Sequence, residues 1–140
     1  MVILDTDHLS LLEWTEQAGT ARLRQRLDET SEPKATTIIN YEEQTRGWLS
    51  YLAKDRSMTQ QIEAYRRLGR QLKNYCALTV LEFDERAAVE FQRLRQARLR
   101  VGTMDLKIAA IVLAHGAILL SRNRTDFGRV LGLRIEDWTV

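Results

Sequence analysis

The chain has 140 residues, 44% hydrophobic and 29% charged with a single proline, a composition that fits one compact domain spanning 1–140 and excludes a disordered or fibrous protein. Its 21 Lys and Arg nearly balance 19 acids, so the net charge of +2 excludes a bulk polybasic binder and puts the weight on where the charges lie. The lone cysteine, Cys76, excludes an internal disulfide, agrees with a reducing, cytoplasmic setting, and is expected to be a small buried hydrophobe.

The start, MVILDTDHLS, runs three apolar residues into Asp5 and Asp7 with no basic segment ahead of them, which is unlike a secretory signal. Val2 to Leu4 predicts a short buried strand. Asp7 is placed to cap a helix through HLSLLEW, His8 to Trp14. A second helix is expected over Ala18 to Asp28, and the β-branched ATTII, Ala35 to Ile39, predicts a second strand. Asn40 then caps a helix through YEEQTRGWLSYLAK.

From Ser57 to Tyr75, the residues Met58, Ile62, Tyr65, Leu68, Leu72 and Tyr75 recur at three- and four-residue steps, the stripe of a long amphipathic helix. Ala77 to Phe83 predicts a third strand and Asp84 to Gln96 a helix with Ala87, Ala88, Phe91 and Leu94 inward. Gly102 breaks the chain, and Thr103 is placed to cap a buried helix through MDLKIAAIVLAHG that Gly116 ends. AILLS predicts a fourth strand, with a helical turn near Asp126 and a last strand near Leu133 to Ile135. The apolar run Ile108 to Leu120 is shorter than the roughly 18 residues of a membrane span, so no membrane association is expected.

Strands alternating with helices predict an α/β fold, a three-layer arrangement with a mostly parallel sheet of about five strands and helices on both faces. Ligands of such sheets bind beyond the carboxyl ends of the strands. There the sequence puts Asp5, then Glu42 and Glu43 in a helix start, Asp105 just after Gly102, and Asn123 with Asp126 after the fourth strand. Carboxylates gathered in one place raise one another's pKa unless a cation neutralises them. An oxygen-only donor set favours Mg²⁺ or Mn²⁺ over zinc. Against this stands the ordinary use of acids at helix N-termini as caps. Neither GxGxxG nor GxxxxGK[ST] occurs, while arginine clusters at Arg22–Arg26, Arg66–Lys73 and Arg93–Arg100 suit phosphate contacts.

In order, VILDTDHLS, TTIINYEEQTRG with an acid four residues before glycine, GTMDLKIAA and AILLSRNRTDFGRVLGLRIEDW resemble the motifs of PIN-domain ribonucleases, in particular the VapC-type toxins of toxin–antitoxin pairs. The resemblance implies a PIN-like fold and Mg²⁺-dependent endonucleolytic cleavage of RNA to 5′-phosphate and 3′-hydroxyl ends. By the family pattern Asp5, Glu43 and Asp105 are the metal-binding catalytic acids, with Glu43 chosen over Glu42 by its distance from Gly47. Asn123 stands where the family often has aspartate, which favours one metal over two. Thr6, Ser121 and Asp126 are expected around the acids, Asp126 also as a substitute ligand. Arg95, Arg98 and Arg100 are expected along an RNA backbone.

The resemblance also implies a homodimer and a VapB-type antitoxin. Trp48, Leu49, Leu52, Ile62 and Tyr65 are the residues expected to line the antitoxin groove, unless the stripe is simply core. Two rival readings follow from the same residues. One is a PIN-like module that binds RNA or a partner without cutting, kept open by Asn123. The other is a phosphatase in which the DxD of DTDHL supplies nucleophile and general acid, although Leu9 stands where that motif needs Thr or Val.

Overall fold

The computed structural model describes residues 1–13 and 17–140. Trp14, at the end of the first expected helix, lies outside them. Five strands, β1 (Val2–Leu4), β2 (Lys34–Thr37), β3 (Thr79–Leu81), β4 (Ile118–Leu120) and β5 (Arg134–Glu136), form one sheet in the order β3-β2-β1-β4-β5. Every pairing is parallel, so all carboxyl ends share one edge. The helices are α1 (Thr6–Glu13), α2 (Thr20–Glu29), α3 (Ile38–Leu52), α4 (Met58–Cys76), α5 (Glu85–Gln96), α6 (Thr103–Ala114) and the single turn α7 (Arg124–Phe127).

The alternation along β1 divides the core in two. Ile3 joins Ala87, Leu94, Leu119, Phe127 and the Ile108–Val112 run of α6 on one face. Val2 and Leu4 join Leu9, Leu23, Leu27, Tyr75 and Trp138 on the other. Because α6 is apolar all round, it is the inner helix of its layer, with Ile108 to Val112 fully buried. Ile108, Ile111 and Val112 each contribute roughly 1.5–3 kcal/mol of burial, and the small Ala109 and Ala110 let α6 pack closely.

Several local expectations are corrected. The second strand ends at Thr37, not Ile39, because the Thr37 hydroxyl accepts the Asn40 N–H at 3.2 Å and starts α3 at Ile38. Asn40 is therefore inside the helix and is not its cap. Likewise Asp7 is the second residue of α1, and the cap position belongs to Asp5, whose carbonyl accepts from the His8 and Leu9 N–H groups at 3.1 and 3.0 Å. Gly102, without a side chain to accept a first-turn N–H, occupies the cap of α6 in place of Thr103. Cys76 is exposed, because α4 turns Tyr75 inward and leaves its last residue in solvent.

The α4 stripe is mostly not core. Only Ala64, Gln71 and Tyr75 are buried on this helix, while Ile62 and Tyr65 are 48% and 59% exposed. Leu49 of α3 is likewise 55% exposed. Among the described residues no helix is long and apolar enough to cross a membrane.

Candidate active site

Asp5 follows directly on the central strand, its N–H donating to the Leu120 carbonyl at 3.0 Å, so both neighbouring strands end around it. Its carboxylate is buried and held from two sides. Asn40 Nδ2 donates to Oδ1 at 2.8 Å, and Ser121 Oγ donates to Oδ2 at 2.7 Å. Asn40 is itself fixed, since its Oδ1 accepts from Thr37 Oγ1 at 2.7 Å and its Nδ2 also reaches Thr6 Oγ1 at 3.1 Å. Burial pushes the Asp5 carboxyl above its ordinary range; the Ser121 hydrogen bond opposes this and the charge of Asp7 adds to it.

Glu43 lies one helical turn after Asn40 on the same face of α3. Its carboxyl is pushed up to about 7, first by burial, then by Asp105 and Asp5. Asp105, in the first turn of α6, rises to about 6 through burial and then through Asp5 and Asp126. Three elements thus bring Asp5, Glu43 and Asp105 within one another's fields. Glu42 points elsewhere, accepting from Arg46 at 2.5 Å on the outer side of α3.

Asn123 caps α7, its Oδ1 accepting the Asp126 N–H at 3.3 Å and its Nδ2 donating to Asp126 Oδ2 at 3.2 Å. The backbone N–H of Asn123 donates in turn to Ser121 Oγ at 3.0 Å, so the same loop that holds Asn123 orients the Ser121 hydroxyl on Asp5. Asp7 has a bracing role. One of its oxygens accepts the Arg122 N–H at 2.8 Å, and the other lies 2.7 Å from His8 Nδ1. Because the Trp138 N–H donates to His8 Nε2 at 3.2 Å, Nδ1 is the nitrogen that carries the proton to Asp7. Both Asp7 oxygens are thus engaged, which removes the free general acid that a DxD phosphatase needs.

Among the described residues, no three His, Cys, Asp or Glu side chains already stand close enough to hold a metal ion among them. The donor chemistry nonetheless fits one kind of ion. Mg²⁺ keeps most of its waters and takes only one or two carboxylates plus substrate phosphate. An all-oxygen set whose members raise one another's pKa is the environment that such a hydrated cation relieves. Arg95, Arg98 and Arg100 are exposed in and just after the end of α5, and Gly102 then leads into the Asp105 turn.

Asn40 is the site residue that the sequence did not announce. Its spacing, an amide three residues before Glu43, carries the signal, but the same residue type equally suits a helix cap. Gln44 and Glu13 were also missed. Together with Thr6, Ser10, Trp48 and Tyr51 they line a cavity of about 330 Å³ beside the acids.

The raised carboxyls set a pH dependence. Glu43 and Asp105 bind protons more tightly in the native state than at their ordinary values of 4.5 and 3.8. Stability from these groups is therefore complete at low pH and is lost as pH rises through about 6 and about 7. In EDTA, the wild type should lose melting temperature relative to Glu43→Gln between pH 5 and pH 8, about 1 unit either side of the two values. A constant difference across that range would show that Glu43 is not crowded by the other acids.

A parallel α/β sheet with its acids gathered at the carboxyl edge defines a class that binds its ligand where the strands end. Within that class the match is specific: a family model described as PIN domain covers residues 2–132, and the chain belongs to the PIN-domain family. It is similar to "Ribonuclease VapC2" of Haemophilus influenzae, 36% identical over 66 residues that make up 44% of this chain and 49% of the relative. It is 35% identical over 65 residues to "tRNA(fMet)-specific endonuclease VapC" of Salmonella typhimurium, with the same coverage of 44% and 49%. The chain thus spans about half the length of these relatives.

Among solved structures, the DNA-bound VapBC of Salmonella typhimurium matches with a TM-score of 0.75 at 23% identity, over 98% of this chain and 97% of the other. VapBC-1 of nontypeable Haemophilus influenzae matches with a TM-score of 0.69 at 23% identity over 100% of both chains. These likenesses bear out the expected PIN-like α/β fold.

Proposed function

We propose that this chain is a Mg²⁺-dependent endoribonuclease, with Mn²⁺ able to substitute, that acts as the toxin of a toxin–antitoxin pair. The observation that carries the reading is the half-burial of Glu43 and Asp105 beside buried Asp5, which, with the neighbouring carboxylate charges, lifts their carboxyls to about 7 and about 6. Asp5, Glu43 and Asp105 would hold the ion through direct or water-mediated contacts. When bound, the ion supplies an acidified water and charge stabilisation for in-line displacement at a phosphodiester, giving 5′-phosphate and 3′-hydroxyl ends.

The protein's own groups prepare that chemistry. Asn40 and Ser121 fix both Asp5 oxygens, so the carboxylate needs no reorientation when its ligand arrives. Burial of the acids excludes competing water from one side. Exposed Arg95, Arg98 and Arg100 offer guanidinium forks to the RNA backbone on the approach to Asp105. With Asn123 Oδ1 committed to the α7 cap, the free protein holds one ion rather than two.

The partner in this reading is a VapB-type antitoxin, and the chain forms a homodimer. Support comes from the VapBC complexes among the structural neighbours and from the exposed apolar residues Leu49, Ile62 and Tyr65, with half-buried Trp48 and Leu52, on α3 and α4. Purified free of any partner, the protein should cut total cellular RNA with Mg²⁺ or Mn²⁺ and stop in EDTA. Inactivity under those conditions, together with unaffected growth on expression, would overturn the reading.

A further inference from the structure

His8 is a fully buried imidazole in the first turn of α1 that the metal chemistry does not use. Its Nδ1 lies 2.7 Å from Asp7 Oδ1, and its Nε2 accepts the Trp138 N–H at 3.2 Å. Trp138 follows β5 and is itself tied down, its indole N–H donating to Glu136 Oε2 at 2.6 Å and the Arg26 guanidinium standing 4.7 Å from its ring centre. A backbone N–H can only donate, so this contact fixes the neutral imidazole as the tautomer protonated on Nδ1. Asp137 Oδ1, 3.6 Å from Nε2, is beyond hydrogen-bonding reach and already accepts from the Thr139 N–H and hydroxyl at 2.9 and 2.6 Å.

The other end of this chain of bonds is Ser121. Its hydroxyl has one hydrogen and two carboxylate acceptors nearby, Asp5 Oδ2 at 2.7 Å and Asp7 Oδ2 at 3.4 Å. The hydroxyl oxygen also accepts the Asn123 N–H at 3.0 Å, which restrains it between the two acids. Which carboxylate takes the hydrogen depends on how well each is supplied from elsewhere. Asp7 receives two other donors, the Arg122 N–H at 2.8 Å on Oδ2 and the His8 Nδ1–H on Oδ1.

We propose that His8 is a positioning residue of the acidic site: by supplying Asp7, it leaves the Ser121 hydrogen to Asp5 and keeps that carboxylate aimed for its ion. The inference rests on the reading of Asp5 as a ligand of Mg²⁺ or Mn²⁺ for its consequence, and on these bonds for its geometry. Without the Nδ1–H donor, the charge of Asp7 is left with the Arg122 N–H and draws the Ser121 hydroxyl to itself, because hydrogen bonds to an ionised acceptor are the strong ones. Asp5 Oδ2 then loses its side-chain donor, although His8 touches neither that oxygen nor the ion.

The test separates the two ring nitrogens in the full chain. His8→Asn keeps an N–H where Nδ1 stood, whereas His8→Gln places its amide where Nε2 stood and gives Asp7 nothing. Mn²⁺ affinity, read by electron paramagnetic resonance of the free ion, should fall by about 10-fold or more in His8→Gln. His8→Asn should stay close to the wild type. In a Ser121→Ala background the two substitutions should bind Mn²⁺ alike, because the route to Asp5 runs through that hydroxyl. The crystal structure of His8→Gln should show Ser121 Oγ nearer to Asp7 than to Asp5, and the nitrogen-15 spectrum of the wild-type imidazole should place its proton on Nδ1.

Equal losses of Mn²⁺ affinity in His8→Asn and His8→Gln, tracking their losses of melting temperature, would make His8 a packing residue and overturn the proposal. So would a His8→Gln effect that persists in Ser121→Ala, or a wild-type proton found on Nε2, which needs no substitution to observe. Absence of Mn²⁺ binding by the wild type would instead remove the metal reading, and the position of Ser121 Oγ in His8→Gln would still decide the role of His8.

Discussion

On the proposed reading, Asp105→Asn should abolish metal-dependent RNA cleavage and make the metal-free protein more stable at pH 8, about 1 to 2 units above the raised carboxyls. The two effects share one cause. Asp105 is half-buried at the start of α6 and is crowded by Asp5 and Asp126, and its own charge helps to lift Glu43 to about 7. Neutralising it relieves that repulsion in the metal-free protein, where nothing offsets it, and on the proposed reading removes an anionic ligand from the metal-bound one. Loss of a direct ligand should exceed the 10- to 100-fold that follows removal of a group that only orients one, so a fall beyond about a hundredfold is expected.

Glu43→Gln should behave in the same way, and Glu42→Gln should not, because Glu42 is paired with Arg46 outside the cluster. Cleavage rates and melting curves on the three variants would decide the matter. Equal losses for Glu42→Gln and Glu43→Gln would exchange or abolish the roles assigned to them.

The second large effect is expected at Asn40. Its amide joins Thr37 to Asp5 across bonds of 2.7 and 2.8 Å, all of it buried. Asn40→Leu keeps the volume approximately but strips Asp5 Oδ1 of its side-chain donor and leaves the Thr37 hydroxyl without its acceptor. Leaving buried polar groups unsatisfied costs about 1–3 kcal/mol, visible in urea denaturation. Because Asp5 is then held only through Ser121 and the local backbone, Mn²⁺ affinity should also fall by about 10- to 100-fold. A stability loss with unchanged Mn²⁺ affinity would make Asn40 a structural residue alone.

The architecture was legible because periodicity and local breakers agree across most of the chain. Val2 to Leu4, a helix ending at Gln96 and the largely buried α6 all stand as their patterns require, α5 starting at Glu85 because the Asp84 carboxylate accepts the Ala87 N–H. The errors lie where two polar residues compete for one local task. Asp5 and Asp7 both suit a cap, and only the tertiary bond from the Arg122 N–H, 115 positions away, reveals that Asp7 braces another loop. Thr37 and Asn40 pose the same choice, resolved by the buried Asp5 carboxylate that needs the Asn40 amide.

Amphipathic periodicity also marks an apolar face without saying what covers it. That is why the α4 stripe read equally well as core or as surface, and why its exposure became clear only with the fold. The three acids were placed by their positions at element ends. The cavity beside them was not, since it takes residues from two helices whose packing no local pattern encodes.

The central position of β1 also governs when the site can assemble during synthesis of the chain. The first strand emerges early but pairs with β4, and Asp5 waits for a hydroxyl 116 residues downstream. A nascent chain that has released β1, α1 and even Glu43 still lacks Asp105, Ser121 and half of the bonds that fix Asp5. Such non-local topology defers assembly of the site until Ser121 has been made. If the proposed activity holds, a partly made chain would carry the acids without the geometry that prepares them.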